Sequence, residues 1–278
     1  MKAEVIGIVS PKGGVGKTTL ASNIGISLVK YYKKKVLAID ANVHTANLSM
    51  YLGMYSTPST LNDLVRSKYP LTQALYVHNS GLRVIPASIG IESKKHPLSV
   101  KSLKKLLDQV RSQYDYIILD SPPGLHKDVR TIIKGSDRVL LVVTPDVPTV
   151  MTTMKALPLA KKLEKGKKLQ VIVNKATGHG NELTKKEIQE SFGVPVIGEI
   201  YHDMHIISSV SKQTPLMVEH GLTRTSTRKI IEISGRICGE KPPHLPVSSG
   251  FLAGLRERFG KRKDARAITQ LENLRTNK

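Results

Sequence analysis

The sequence predicts an α/β protein built on a doubly wound, mostly parallel sheet flanked by helices. Three observations lead there. Short runs of Val, Ile and Leu recur along the chain, and stretches of helical apolar spacing fall between most of them. The polar residues Asp40, Asp120 and Asn174 stand where such runs end. Continuous apolar strands are what a sheet covered on both faces requires, and such sheets bind ligands beyond the carboxyl ends of their strands.

The elements follow in order. Val5 to Val9 is a β-branched run, and from Thr18 to Val29 apolar residues return at helical spacing. The segment "SPKGGVGKTT" therefore lies between a buried strand and a helix. Further strands are read in "VLAID" ending at Asp40, "LRVIP" at Pro86 and "YIILD" at Asp120. Three more are "VLLVVTP" ending at Pro145, "LQVIVN" at Asn174 and "VPVIGEI" at Ile200. Helical patterns cover Val100 to Val110, Val150 to Leu163 and Leu183 to Phe192.

The glycine-rich segment carries the chemistry. Gly13, Gly14 and Gly16 lack a Cβ, so the backbone can curl and aim successive N–H groups, those of Val15 and Thr19 included, at phosphate oxygens. The helix start behind it adds partial positive charge. Lys17 can reach the β/γ-phosphates and the Thr18 hydroxyl can ligate Mg²⁺. The strict pattern would place glycine at position 11, where this chain has Pro11, and a second lysine, Lys12, precedes the glycines. Asp120, opening "DSPPG" after an apolar strand, is placed to hold Mg²⁺ through water.

With these departures, "KGGVGKTT" resembles the deviant Walker A loop of the MinD/ParA family of P-loop ATPases, and the chain is most similar to its MinD-like branch. The resemblance spans roughly Val5 to Gly239. It implies ATP and Mg²⁺ as cofactors, slow ATP hydrolysis, and an ATP-dependent homodimer in which Lys12 crosses to the partner's phosphates, as an arginine finger does. "SPPGLHKD" resembles the family's second switch, with Gly124 free to pivot. "DANVHTANLSMYLG" resembles its first switch. Asp40 then supports the Mg²⁺ shell and Asn47 faces the nucleotide. Where the family usually has a second Asp, this chain has Asn42, which can orient water but cannot take a proton. Asn174 matches the family's adenine-binding asparagine. "VVTPDVPTV" (Val142 to Val150) matches the segment beside these. His202 and His205 have no further Cys or His to complete a metal site.

Composition bounds the rest. The chain has 278 residues and a single cysteine, Cys238, which excludes a disulfide framework and a paired-cysteine cluster. "MKAEVIGIVS" reads as running straight into the first strand without a signal peptide, and no uncharged apolar stretch is long enough to span a bilayer. The expectation is a cytoplasmic protein, peripheral on the inner face of the cell membrane. Lys and Arg number 43 against 22 Asp and Glu, a net charge of +21, which points to an anionic partner.

Three parts are expected: an ATPase domain (1–239), a Pro/Ser/Gly linker (240–250) and a basic amphipathic tail (251–278). In "FLAGLRERFGKRK" a helix would place Phe251, Leu252, Leu255 and Phe259 on one face, flanked by Arg256, Arg258, Lys261, Arg262 and Lys263. Burying four such apolar groups is worth roughly 6–10 kcal/mol before the cost of ordering, a reversible anchor that a dimer would strengthen. The leading reading is a MinD-like switch acting at an anionic membrane with an activating or cargo protein. A ParA-like ATPase on DNA and a slow-turnover interaction protein remain the alternatives.

Overall fold

The computed structural model describes residues 2–43, 46–66, 69–88, 98–164 and 168–243. In chain order the elements are β1 (Glu4–Val9), α1 (Lys17–Tyr32), β2 (Val36–Asp40), α2 (Leu48–Tyr51), α3 (Leu61–Val65), β3 (Tyr76–Val77) and β4 (Arg83–Ile85). Then come α4 (Val100–Val110), β5 (Tyr116–Asp120), α5 (Lys127–Gly135), β6 (Arg138–Val143), α6 (Val147–Glu164) and β7 (Lys168–Ala176). The described part closes with α7 (Lys185–Phe192), β8 (Val196–Tyr201), α8 (Met204–Ser211), α9 (Leu216–Glu219) and α10 (Thr225–Cys238).

The strands form one sheet in the order β3-β4-β2-β5-β1-β6-β7-β8. Every neighbouring pair is parallel except β3 with β4. Because side chains alternate along a strand, β1 serves two cores. Val5 and Val9 join Leu103 of α4, Val129 and Ile132 of α5, Val150 of α6 and Phe192 of α7 in one apolar cluster. On the other face α1 packs on α10 and α9, and Gly25 of α1 lies close to Ile118 of β5. The sheet is doubly wound, as the apolar runs predict.

Differences from the sequence expectation are local. The run ending at Pro86 yields only Arg83–Ile85 as strand, paired with the short β3 through a turn in which Gly81 N–H reaches His78 O. α6 starts at Val147, before the expected Val150, because Asp146 accepts the Thr149 N–H at 2.9 Å and caps it. β7 continues past Asn174 to Ala176, so Asn174 lies inside the strand rather than at its end. α10 ends at Cys238, with Gly239 at φ 74 as its left-handed cap. The tail helix expected over 251–263 lies outside the described residues, as does the linker beyond Pro243.

Candidate functional site

The phosphate loop joins β1 to α1 at the centre of the sheet. Gly16 has φ 99, and a Cβ there would stand 2.4 Å from the Asn174 amide nitrogen, so only glycine fits. Two side chains from β7 hold the loop from below. Asn174 Nδ2 donates to Val15 O at 2.7 Å and Lys175 Nζ donates to Gly14 O at 2.6 Å. Consecutive strand residues normally point to opposite faces. Lys175 has φ 62, and the β7–β8 register shifts between Asn174 and Ala176, which lets both reach the loop.

Beneath the loop lies a buried charge cluster. Asp40 and Asp120 are register neighbours on β2 and β5, 0% and 1% exposed. Burial raises the pKa of Asp40 against the pull of three backbone N–H groups. Burial, then the neighbouring Asp40 charge, raises that of Asp120, opposed by the Thr18 hydroxyl and Lys17. Burial lowers the Lys17 ammonium, with Asp120 working the other way. Asp40 spends both oxygens on the switch backbone: Oδ1 accepts Asn42 N–H, and Oδ2 accepts Asn47 and Leu48 N–H, each at 3.0 Å. Asp120 Oδ1 is buried with no hydrogen-bond partner. Asp120, with an unused oxygen, beside Thr18, Lys17 and the neighbouring Asp40 carboxylate, belongs to a donor set that fits a divalent cation.

Above this floor opens a cleft of about 460 Å³. Gly13, Gly14, Gly16, Lys17, Thr18, Thr19, Asn42 and Asn47 line it, with Ser121 and Pro123 from the segment after β5. Its apolar wall is Ile206, Ile207 and Val210 of α8, facing Tyr51 of α2. Gly124, at φ 94, is tied to Ser10 O through its N–H at 3.0 Å. A larger hollow of about 570 Å³ beside α3 and α4 contains none of these groups.

Lys12 turns away from the loop. Its Nζ donates to Thr149 Oγ1 at 2.8 Å and lies 3.4 Å from Asp146 Oδ1, both at the start of α6. Burial works to raise Asp146, but bonds from the Thr144 and Thr149 hydroxyls and the Thr149 N–H, with the Lys12 charge, outweigh it and hold its carboxyl at about 2.

The structure thus brings together the loop residues, Asp40, Asn42, Asn47 and Asp120, and places Asn174 under the loop with its amide nitrogen engaged there. His205 is taken up elsewhere, 3.3 Å from Asp203 and 3.2 Å from an Arg224 nitrogen, and His202 donates its N–H to Ala176 O. Among the described residues no cluster of three or more His, Cys, Asp or Glu forms a separate metal site. Sequence reasoning missed Asp146, Thr149, Lys175 and the α8 wall. The D-x-x-T helix start in "TPDVPT" and the lysine beside Asn174 were the available signals.

Fold and site together define a nucleoside triphosphate hydrolase whose phosphate loop carries two lysines. Residues 3–173 match the family described as AAA domain. The septum site-determining protein MinD of Thermotoga maritima is 31% identical over 271 residues, 93% of this chain and 98% of that protein. An ATP-binding protein of Methanocaldococcus jannaschii is 31% identical over 241 residues, 87% and 90% of the two chains. The structure of MinD from Pyrococcus horikoshii complexed with Mg-ADP superposes with a TM-score of 0.77 at 25% identity, covering 84% of this chain and 96% of that one. The chain belongs to the MinD/ParA family of P-loop ATPases. It is an ATPase, with ATP and Mg²⁺ as its cofactors.

Proposed function

We propose that this chain is an ATP-gated positioning switch: two copies pair face to face on ATP, the pair holds an anionic membrane through its tails, and hydrolysis releases both. The observation that carries the reading is Lys12. It stands beside the phosphate loop, 45% exposed in its side chain, on partners in α6 and not on its own loop. A lysine so placed is available to a second copy's phosphates.

The residues divide the work. The loop N–H groups and Lys17 take the β- and γ-phosphates. Thr18 and Asp120 would hold Mg²⁺, with Asp40 supporting the shell; bound, the metal offsets charge on the transferring phosphoryl group. Asp40 also pins the first switch by its three backbone bonds, so a shift of its carboxylate would be felt at Asn47 and α2. Asn42 lines the cleft where it can orient the attacking water. Asn174, which matches the family's adenine-binding asparagine, holds the loop from beneath through Val15 O. Gly124 gives the second switch its pivot.

For the membrane step the support is the tail's sequence pattern: four large apolar residues on one helical face flanked by cations. No helix among the described residues is long and apolar enough to cross a bilayer. The reading places the chain at the inner face of the cell membrane, acting with a cargo or activating protein to position cell-division or other machinery.

DNA as the anionic surface is favoured by one observation. Lys101, Lys104 and Lys105 of α4 and Lys127 and Arg130 of α5 are exposed on neighbouring helices. Co-sedimentation with anionic vesicles and with duplex DNA, each with and without ATP, separates the two. The Phe251→Glu, Leu255→Glu double variant should lose vesicle binding by at least about 10²-fold with ATPase activity retained, since two apolar anchors become charges. Vesicle binding that survives it, or DNA retention that falls steeply with salt, would overturn the membrane reading.

A further inference from the structure

We infer that Asn23 is a positioning residue that sets the apolar wall of the nucleotide cleft, by fastening the α8–α9 corner to the phosphate-binding helix. The inference rests on the cleft's being the nucleotide site. Asn23 lies on α1, six residues after Lys17, and is 1% exposed. Asparagine is a poor helix former, and a polar side chain in an apolar layer is costly unless its hydrogen bonds are met. Here both ends of the amide are engaged. Nδ2 donates to Thr19 O and Oδ1 accepts the Met217 N–H, each at 2.8 Å.

That second bond spans 194 positions of sequence. Met217 is buried in the first turn of α9, where backbone N–H groups have no partner inside the helix. Asn23 supplies the missing acceptor. A second contact grips the same corner. Gln213, between α8 and α9, has φ 51, and its carbonyl lies so close to Gly53 that a Cβ there would approach to 2.7 Å. Gly53, at φ 67, follows α2 of the first switch. The corner is thus held by α1 on one side and by the turn after the switch on the other. From it α8 runs back with Ile206, Ile207 and Val210 toward the cleft.

The phosphate loop is fastened separately, by Asn174 on Val15 O and Lys175 on Gly14 O. Thr19 O also accepts the Ser22 hydroxyl at 3.0 Å, so removing the Asn23 donor does not orphan it. Loss of Asn23 therefore acts on the wall and spares the loop. The wall is what a nucleoside meets and what bare phosphates do not.

Isothermal titration of the full chain with Mg-ADP and with Mg-tripolyphosphate tests this. In Asn23→Ala, ADP affinity should fall about tenfold, the scale of one lost buried hydrogen bond, with tripolyphosphate held within about twofold. Asn23→Asp keeps the acceptor for Met217 N–H and should recover most of the ADP affinity. Equal loss for both ligands, or none for either, overturns the inference. A second measurement needs no variant. Hydrogen exchange of the wild-type peptide spanning Lys212 to His220 should slow with ADP and not with tripolyphosphate; equal protection by both overturns it. Wild-type protein that binds neither ligand would sink the nucleotide site itself, and this inference with it.

Discussion

Asp146→Asn should make ATP-dependent pairing tighter, because it loosens the resting place of Lys12. The Lys12 ammonium lies 3.4 Å from Asp146 Oδ1 and 2.8 Å from Thr149 Oγ1, with the lysine and Asp146 side chains 45% and 43% exposed. An ion pair that open to solvent is worth up to ~1 kcal/mol, and the hydroxyl bond a further ~1 kcal/mol. Asparagine removes the charge yet still caps α6, since Asn and Asp cap about equally well. The Thr149 hydroxyl stays. About 1 kcal/mol per protomer is thereby released, and closing a pair undoes two such contacts, so association should strengthen by ~2 kcal/mol, roughly 30-fold. The effect should be flat with pH in the neutral range. Asp146 titrates at about 2, below the ordinary carboxylate value, so its contribution is complete above roughly pH 4 and is lost only as pH falls through that depressed value. Sedimentation equilibrium with a non-hydrolysable ATP analogue measures the constant. Unchanged or weaker pairing in Asp146→Asn would refute the idea that this contact holds Lys12 back.

Three further outcomes are expected. Lys17→Ala should weaken ATP binding by ~10²-fold, because the site loses the cation that the loop motif directs at the β- and γ-phosphates; calorimetric titration that finds affinity intact would sink the loop assignment. Asn42→Asp restores a carboxylate beside the attacking water and should raise ATP turnover, by up to ~10²-fold; a drop in a phosphate-release assay would mean the local geometry is built around the amide. Asp203 is held at about 2, burial being outweighed by bonds from Ser226, Arg224 and the His205 N–H. Its stabilisation is therefore present above roughly pH 4 and fades as pH falls toward 2. Asp203→Asn should cost roughly 2–3 kcal/mol at neutral pH and flatten that acid limb, as read by urea unfolding across pH; an unchanged acid limb would remove Asp203 from the account.

What could be read from the sequence is what lies contiguous in it. The phosphate loop needs its glycines, Lys17 and Thr18 in one short run, and the sheet declares itself in uninterrupted Val/Ile/Leu strands. Asp40 and Asp120 could be placed at strand ends, but that they are ladder neighbours, each bearing on the other's charge, follows only from the β2–β5 register. Asn174 shows the limit within a motif. Its identity is legible, whereas the bulge that brings it and Lys175 together under the loop depends on how β7 meets β8. The short β3 hairpin escaped because two paired residues leave no period to detect.

Lys12 carries this furthest. Its partners at the start of α6 lie 134 and 137 positions away, just past the end of β6, which is five strands further along the chain but adjacent to β1 in the sheet. From the loop motif alone Lys12 is a cation with no use in cis, because Lys17 already fills that role. The fold supplies a second fact: the cation has somewhere to rest. A side chain needed by another subunit but held weakly at home has two positions of similar energy, and the proposed switch requires that near-balance. Too strong a hold would keep the chain single at any ATP level, and none would leave pairing to the phosphates alone. A half-exposed ion pair with one hydroxyl bond falls between those limits. Its modest strength is thus what the mechanism demands of it.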